Sequence, residues 1–404
     1  MQTDHSMDLL VGRIRQSLEN ASWIRRMFEA GIELKRQHGE ANVCDFSLGN
    51  PDLPPPPGVA RSLRGLADRM DRPLALGYMP NPGYPDVRAA VAVHLAREQQ
   101  CDVKPDHVVM TCGAAGAINA LFRAVLESGD EVVCPIPYFV EYGFYAGNFG
   151  GVLKPVPSLP DSFGLDVAAI GRALTSKTRV VLVNSPNNPT GAVYSGADLE
   201  RLARELRQHV ERVGRPVYLV SDEPYRFLAY DGVAVPPVLP LYPYAVAVNS
   251  FSKSLSLAGE RIGYLAANPA MPGVAELVAG VVLANRILGF VNAPAIGQRL
   301  VGENLGHEVD VNVYRARRDA MADVLRGAGI AFAMPKGAFY FFPKVPGKVD
   351  DVEFCRLLQE QRILAVPGRG FGLPGYFRLT FCVDKAVIER SADGFRRAVE
   401  AACG

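Results

Sequence analysis

The chain has no surplus of either charge: 43 lysines and arginines stand against 42 aspartates and glutamates, a formal net charge of +1. Nothing is left over to hold a phosphate backbone, which argues against nucleic acid as a main partner. It also lacks any run approaching the roughly 18 uncharged apolar residues that a membrane-spanning helix needs. The first residues set Asp4, Asp8, Arg13 and Arg15 among short apolar pieces, without the apolar block of a signal peptide. Seven cysteines, an odd number, are scattered with no CxxC pair, so they read as reduced thiols of a cytoplasmic protein. Six histidines form neither an HExxH pair nor a cluster with cysteine, so no metal site is expected. No GxGxxG fingerprint follows an early strand, which weakens a nicotinamide dehydrogenase reading, and no repeat or low-complexity tract is present.

What is there is ordinary globular material: 404 residues, 49% hydrophobic and 21% charged, ample for a large core. Short β-branched runs alternate with longer helical periods. Strands are expected at Val108–Thr111, Glu131–Pro135, Gly151–Pro155, Arg179–Asn184, Val217–Asp222, Ala245–Ser250 and Gly263–Ala267. Several are almost wholly apolar, as strands buried on both faces should be. Helical spacing over Ala115–Glu127 and Asp198–Val213 lies between them. The expected fold class is therefore α/β, a mostly parallel seven-stranded sheet covered by helices. The ends differ. Met7–His38 reads as an amphipathic arm, followed by a proline-rich turn at Pro51–Pro57. Beyond about Pro294 come a helix at Glu308–Gly327, strand-like Ala338–Pro343, a helix near Val352–Gln361, strand-like Phe377–Cys382 and a last helix, Lys385–Ala401. This is a smaller α+β domain. The expected division is 1–60 for the arm and part of the small domain, 61–295 for the large domain and 296–404 for the small one.

Chemistry gathers at the ends of the apolar runs. Ser250-Phe251-Ser252-Lys253-Ser254 places a lysine just past a buried strand, with Arg261 eight residues on; alone, such a lysine is a surface charge. Asp222 and Tyr225 follow another strand, where ligands bind in open α/β sheets and where a plain turn also favours aspartate. Asn188 lies in Asn184-Ser185-Pro186-Asn187-Asn188-Pro189-Thr190-Gly191, by itself only a turn signal. Cys112-Gly113-Ala114-Ala115-Gly116 opens a helix whose first N–H groups suit an anion such as a phosphate. Pyridoxal phosphate (PLP) chemistry asks for this set: an amine for the aldehyde, a carboxylate for the pyridine nitrogen, an amide and a phenol for the ring hydroxyl, and donors for the phosphate.

In order and spacing these motifs resemble the fold-type I aminotransferases of class I and II, the group that contains aspartate aminotransferase. The likeness runs from Gly49 to Arg378. It implies PLP as cofactor, with Lys253 as the Schiff-base lysine and Asp222 as partner of the pyridinium nitrogen. Tyr225 and Asn188 would bond the ring hydroxyl. Arg261, Ser250 and Ser252, with the backbone of Gly113, Ala114 and Ala115, would bind the phosphate. Tyr138, in Pro137-Tyr138-Phe139, would stack on the ring, and the same tyrosine also suits a plain core position. Arg378 would grip the substrate α-carboxylate as a two-pronged clamp, touched also by the backbone of Gly49. Tyr78 would reach the phosphate of a second subunit, making a homodimer with shared sites. Three departures from the family pattern bear on function. Ala114 and Ala115 replace side-chain donors at the phosphate turn. Cys112 reads as a small buried residue. No arginine clearly matches the one that reads a dicarboxylate side chain, although Arg286 is a candidate for reaching the substrate. Trp23, Ile24 and Phe28 could cover the substrate or anchor the arm.

The resulting expectation is a cytoplasmic PLP-dependent aminotransferase acting on an amino acid and a 2-oxo acid. Rivals are another PLP reaction on the same scaffold (elimination, decarboxylation or carbon–carbon bond formation) or a PLP-binding regulator, for which the segment before Gly49 is short.

Overall fold

A computed structural model describes residues 9–12, 14, 15, 18 and 23–404, with the backbone alone for residues 23–28. In chain order the regular elements begin with α1 (Trp23–His38), β1 (Cys44–Asp45), α2 (Pro57–Ala67) and α3 (Pro85–Glu98). Then come β2 (Val108–Thr111), α4 (Gly113–Val125), β3 (Glu131–Ile136), α5 (Glu141–Gly147), β4 (Val152–Pro157), α6 (Val167–Ala173) and β5 (Thr178–Asn184). They continue through α7 (Gly196–Val213), β6 (Tyr218–Asp222), β7 (Ala245–Ser250), α8 (Phe251–Ser254), β8 (Gly263–Ala267), α9 (Val274–Ile287) and α10 (Ala295–Asn304). The last part holds α11 (Val311–Gly327), β9 (Tyr340–Phe341), α12 (Asp351–Glu360), β10 (Ile363–Leu364), β11 (Val366–Pro367), β12 (Phe377–Thr380), α13 (Lys385–Arg390) and α14 (Ala392–Cys403).

Seven strands form one sheet in the order β2-β8-β7-β6-β5-β3-β4, and β8 alone runs antiparallel to its neighbours. The apolar runs of the sequence are apolar because both faces are covered. Along β5, Val181 and Val183 enter one core while Val180 and Leu182 enter the other. Along β7, Ala245 and Ala247 share the first face and Val246 and Val248 the second. This is the period-two alternation of a strand, hidden from a polar/apolar reading because neither side meets water. Helix α7 shows the other period, burying Leu199, Leu202, Ala203 and Leu206. Its start is fixed by the Ser195 hydroxyl, which accepts the Asp198 N–H at 3.1 Å, and its end by Gly214 at φ 72°.

A second body has its own core, drawing on Cys44, Phe46, Tyr225, Leu228 and Tyr230 and on side chains from Val309 to Ala402. There β12 lies between β11 and β9, and β1 pairs with β10. The Thr380 N–H donates to the Phe46 carbonyl at 2.9 Å, so residues 44–50 run along this body toward the large sheet. Helix α10 packs instead with the sheet body, contributing Leu300 and Val301 to its core. We propose on this ground that the second body begins near Val309, and not at residue 296.

Several expected bounds shift. Helix α11 starts at Val311, where the Asp310 carboxylate caps the Asn312 N–H at 2.9 Å, and not at Glu308. The strand expected over Ala338–Pro343 is reduced to β9. The last helix divides at Ser391, whose hydroxyl donates to the Ile388 carbonyl at 2.6 Å, a local bond that competes with the helical ladder. The arm is helical over Trp23–His38, while Met7 and the side chains of Trp23, Ile24 and Phe28 lie outside the described residues. Among the described residues no helix is long and apolar enough to cross a membrane.

Candidate active site

The reversal of β8 builds the site. A strand antiparallel to its neighbours begins where they end, so Gly263 stands opposite both Thr111 of β2 and Ser250 of β7. Asn184 and Asp222, the last residues of β5 and β6, are likewise partners in register. The carboxyl ends of four parallel strands and the amino end of β8 therefore share one rim. A cavity of about 370 Å³ opens there against residues 48–49, 340 and 378 of the second body.

Asp222 is buried. The Tyr142 hydroxyl donates to its Oδ2 at 2.6 Å, while Oδ1 is buried without a partner. Burial raises its pKa to about 7, opposed by the Tyr142 hydrogen bond. Burial and the adjacent carboxylate hold the Tyr142 phenol well above its ordinary value, so it stays a donor. Lys253, in the single turn α8, points Nζ at the Gly49 carbonyl, 2.8 Å away, with the Phe339 ring 5.4 Å below it. Its pKa falls to about 8, chiefly by burial, with Arg261 and Arg378 pushing the same way. Roughly a tenth of a group with that pKa is free amine at pH 7, the form that attacks a carbonyl.

The other sequence-derived residues divide by place. Asn188 hangs from the same scaffold: its N–H donates to Asn184 Oδ1 at 2.7 Å, and Asn184 Nδ2 donates to the Asp222 carbonyl at 2.9 Å. Asn188 Oδ1 in turn accepts from Arg378 Nη1 at 3.2 Å. Arg378 Nη2 donates to the Ser47 carbonyl at 2.5 Å, the guanidinium lies 4.9 Å from the Tyr340 ring, and its buried Nε has no partner. The Tyr225 and Tyr340 hydroxyls are 2.9 Å apart. Gly49 runs beneath Tyr340, where a Cβ would collide with the phenol oxygen, so only glycine fits.

Ser250, Ser252, Ala114, Ala115 and Arg261, the residues expected to bind a phosphate, all line the cavity. Gly113 has φ +71°, and a Cβ there would come within 2.8 Å of Arg261 Nη2. Arg261 itself adopts the left-handed conformation (φ 49°, ψ 49°), which costs of order ~1 kcal/mol in a non-glycine residue and accompanies functional sites. Nη1 reaches the Ala258 carbonyl at 2.9 Å, leaving the rest of the fork facing the cavity.

Tyr138 does not reach the cavity: its backbone bonds the Phe371 carbonyl at 3.2 Å and its ring lies against Gly372. The aromatic that lines the cavity is its neighbour Phe139, edge-on to Tyr142 at 5.6 Å between centroids. Tyr78 is 94% exposed, away from this chain's own cavity. Arg286 is exposed on α9, also outside it. Cys112 is half-buried, its thiol pushed upward by burial and near the Asn292 carbonyl, which gives no activated thiolate. Sequence reasoning missed Glu141, Tyr142, Tyr145 and Tyr340, all of which line the cavity. The spacing of Tyr142 and Tyr145, one turn apart after an aromatic pair, was an available signal.

The residues present fit PLP. A buried carboxylate oxygen without a partner suits a ring N–H, an amine of lowered pKa suits an aldehyde, and an arginine with small residues at a helix start suits a phosphate.

Comparison with known proteins agrees. The sequence pattern of the family described as aminotransferase class I and II matches residues 41–395. An aspartate/prephenate aminotransferase of Thermus thermophilus is 32% identical over 379 residues, 91% of this chain and 93% of the relative. An aspartate aminotransferase of Thermotoga maritima is 33% identical over 363 residues, 88% and 90% of the two chains. Among solved structures, an amino transferase from Eubacterium rectale superposes with a TM-score of 0.92 at 36% identity, covering 98% of this chain and all of the other. The Thermus thermophilus aspartate aminotransferase with maleate gives a TM-score of 0.86 at 30% identity, covering 97% of this chain. The chain belongs to the class I and II aminotransferases, enzymes of PLP-dependent transamination.

Proposed function

We propose that the chain moves an amino group between an L-amino acid and a 2-oxo acid, with Lys253 as the amine that holds the cofactor and then carries the proton. The observation that carries this is the meeting of Lys253 Nζ, the unpartnered Asp222 Oδ1 and the Arg378 guanidinium in one cavity. When bound, PLP supplies an aldehyde that condenses with an amine and a ring that accepts the electrons of a breaking Cα–H bond. Asp222 would face the ring nitrogen and favour its protonated form, held in place by Tyr142. Asn188 and Tyr225 would face the ring hydroxyl. Arg261, Ser250, Ser252 and the N–H groups of Gly113, Ala114 and Ala115 would hold the phosphate. Arg378, with its α-carboxylate seat beside Gly49, would fix the substrate so that Cα lies near Lys253 Nζ. As a free amine, Lys253 Nζ would take the proton from the substrate Cα, which its lowered pKa allows near neutral pH.

We infer a homodimer as well: Leu74, Tyr78 and Phe290 leave apolar area exposed that a second copy would cover, bringing Tyr78 to its phosphate. Seven free thiols suit the reducing cytoplasm. The test is spectral. Amino acid alone should convert the aldehyde form of the cofactor to the amine form, and oxo acid alone should convert it back. Lys253→Ala should lose both conversions, with turnover down at least about 10⁴-fold, while keeping the far-UV spectrum. Full activity in that variant would refute the assignment.

A further inference from the structure

Glu141 is the first residue of α5 and lines the cavity, yet nothing in the proposed chemistry uses it. Its Oε2 is buried and has no hydrogen-bond partner. A buried carboxylate oxygen is costly to leave unpaired, so its retention in a ligand cavity points to a ligand donor. Its neighbours place it at the substrate end: Arg378 lies within electrostatic reach, and its charge acts on Tyr145 and Tyr340, which share the cavity wall. Burial raises the Glu141 pKa, with Arg378 pulling the other way.

The cations offer the complementary observation. Among the described residues that line the cavity, the positive groups are Lys253, Arg261 and Arg378. Amine transfer takes the first, phosphate the second and the substrate α-carboxylate the third. A second carboxylate on the substrate would find no arginine or lysine of this chain to meet it, and would find Glu141 instead. Like charges brought together in such a site repel and weaken binding.

We propose that Glu141 sets substrate choice: it accepts a hydrogen bond from an N–H donor at the end of the substrate side chain, such as a carboxamide, and disfavours side chains that end in a carboxylate. This rests on the reading of Arg378 as the α-carboxylate seat. The probes are succinamate and succinate, which share one skeleton, cannot be transaminated and differ only in amide against carboxylate at one end. Their dissociation constants are measured by calorimetry on the PLP-loaded enzyme at pH 8, where no turnover is involved. Succinamate should bind about tenfold or more tightly than succinate, a difference worth about 1.4 kcal/mol per factor of ten. Glu141→Gln should narrow the ratio by tightening succinate, and Glu141→Ala should do the same if the glutamine variant is unstable. Tighter binding of succinate to the native enzyme, or a ratio unchanged in both variants, overturns the proposal. Arg378→Lys separates the two readings. If it leaves both ligands bound as before, or if neither binds the native enzyme, the α-carboxylate seat is wrong, and the Glu141 proposal falls with it.

Discussion

Two walls of the same cavity are built on different terms. The wall formed by the sheet rim is local and rigid: Asn184, Asp222, Ser250 and Gly263 are strand termini held in register by the ladder, with Asn188 and Lys253 a few residues past two of them and Arg261 two residues before Gly263. The facing wall is assembled from residues far apart in sequence, Leu48 and Gly49, Glu141 and Tyr145, Tyr340 and Arg378, of which Gly49, Tyr340 and Arg378 ride on the second body. The orphan atoms differ in kind too. On the rim the unpartnered atom is Asp222 Oδ1; on the facing wall they are Glu141 Oε2 and Arg378 Nε. On the roles proposed above, cofactor recognition is written into the scaffold, while substrate recognition depends on how two bodies meet.

The rim should be the less forgiving wall. Asp222→Asn removes the rim carboxylate proposed to pair with a ring N–H, and breaking a buried charge pair costs about 3–5 kcal/mol. Turnover should fall by about 10³-fold at saturating substrate, measured as the single-turnover rate of the amino-acid half-reaction. A loss below tenfold would mean that Asp222 is a structural turn residue, and the contrast between the walls would collapse.

The same contrast decided what could be read in advance. Lys253, Asp222 and Asn188 each stand at or just past the end of an apolar run, so strand ends located them before any coordinates did, and Arg261 was found by its spacing of eight residues from Lys253. Tyr138 marks where that logic stops. Strand β3 ends at Ile136, and past it the chain turns into α5, so alternation no longer says which of two adjacent aromatics faces inward. It is Phe139. Glu141 and Tyr340 carried no strand-end signal, because their places are set by packing of α5 on the sheet and by the short strand β9 of the second body. Likewise the arm and the last helix had the right periodicity, but the break at Ser391 arises from one side-chain bond that no periodicity announces.

On the facing wall, Arg378→Lys keeps the charge and loses the fork. In the proposed role Arg378 would grip the substrate carboxylate in ground state and transition state alike, so the loss should fall mainly on KM. Two charge-assisted bonds become one, and kcat/KM should drop about 100-fold, from bonds worth about 1.5–3 kcal/mol each. Steady-state kinetics with one amino acid checks this. An equal fall in kcat would place Arg378 in the chemical step and weaken the distinction between a cofactor wall and a substrate wall.

The smallest effect belongs to Tyr142, which stands behind the rim. Tyr142→Phe deletes the 2.6 Å bond to Asp222 Oδ2 while leaving the ring against Phe139, so kcat should fall only about tenfold, a loss of about 1.4 kcal/mol. Its sharper signature lies in stability against pH for the cofactor-free chain. Asp222 is protonated in the native state up to about pH 7 but in the unfolded chain only up to about pH 4. Between those values the native state binds the extra proton, so the Asp222 contribution to stability declines as pH rises from 4 to 7. Other carboxylates, such as Asp231 beside Arg318, slope the opposite way at the acid end, so the quantity to measure is the difference between native and variant urea midpoints from pH 4 to 9. Asp222→Asn should gain on the native chain steadily from pH 4 to 7 and then run level. Tyr142→Phe should run parallel to the native chain from pH 4 to about 6 and lose to it only near and above pH 7, because without the phenol donor the Asp222 proton is held still more tightly and the variant goes on declining where the native chain levels off. Curves for Tyr142→Phe and the native chain that stay parallel from pH 7 to 9 would show that the hydrogen bond does not tune Asp222, and that the rim carboxylate is set by burial alone.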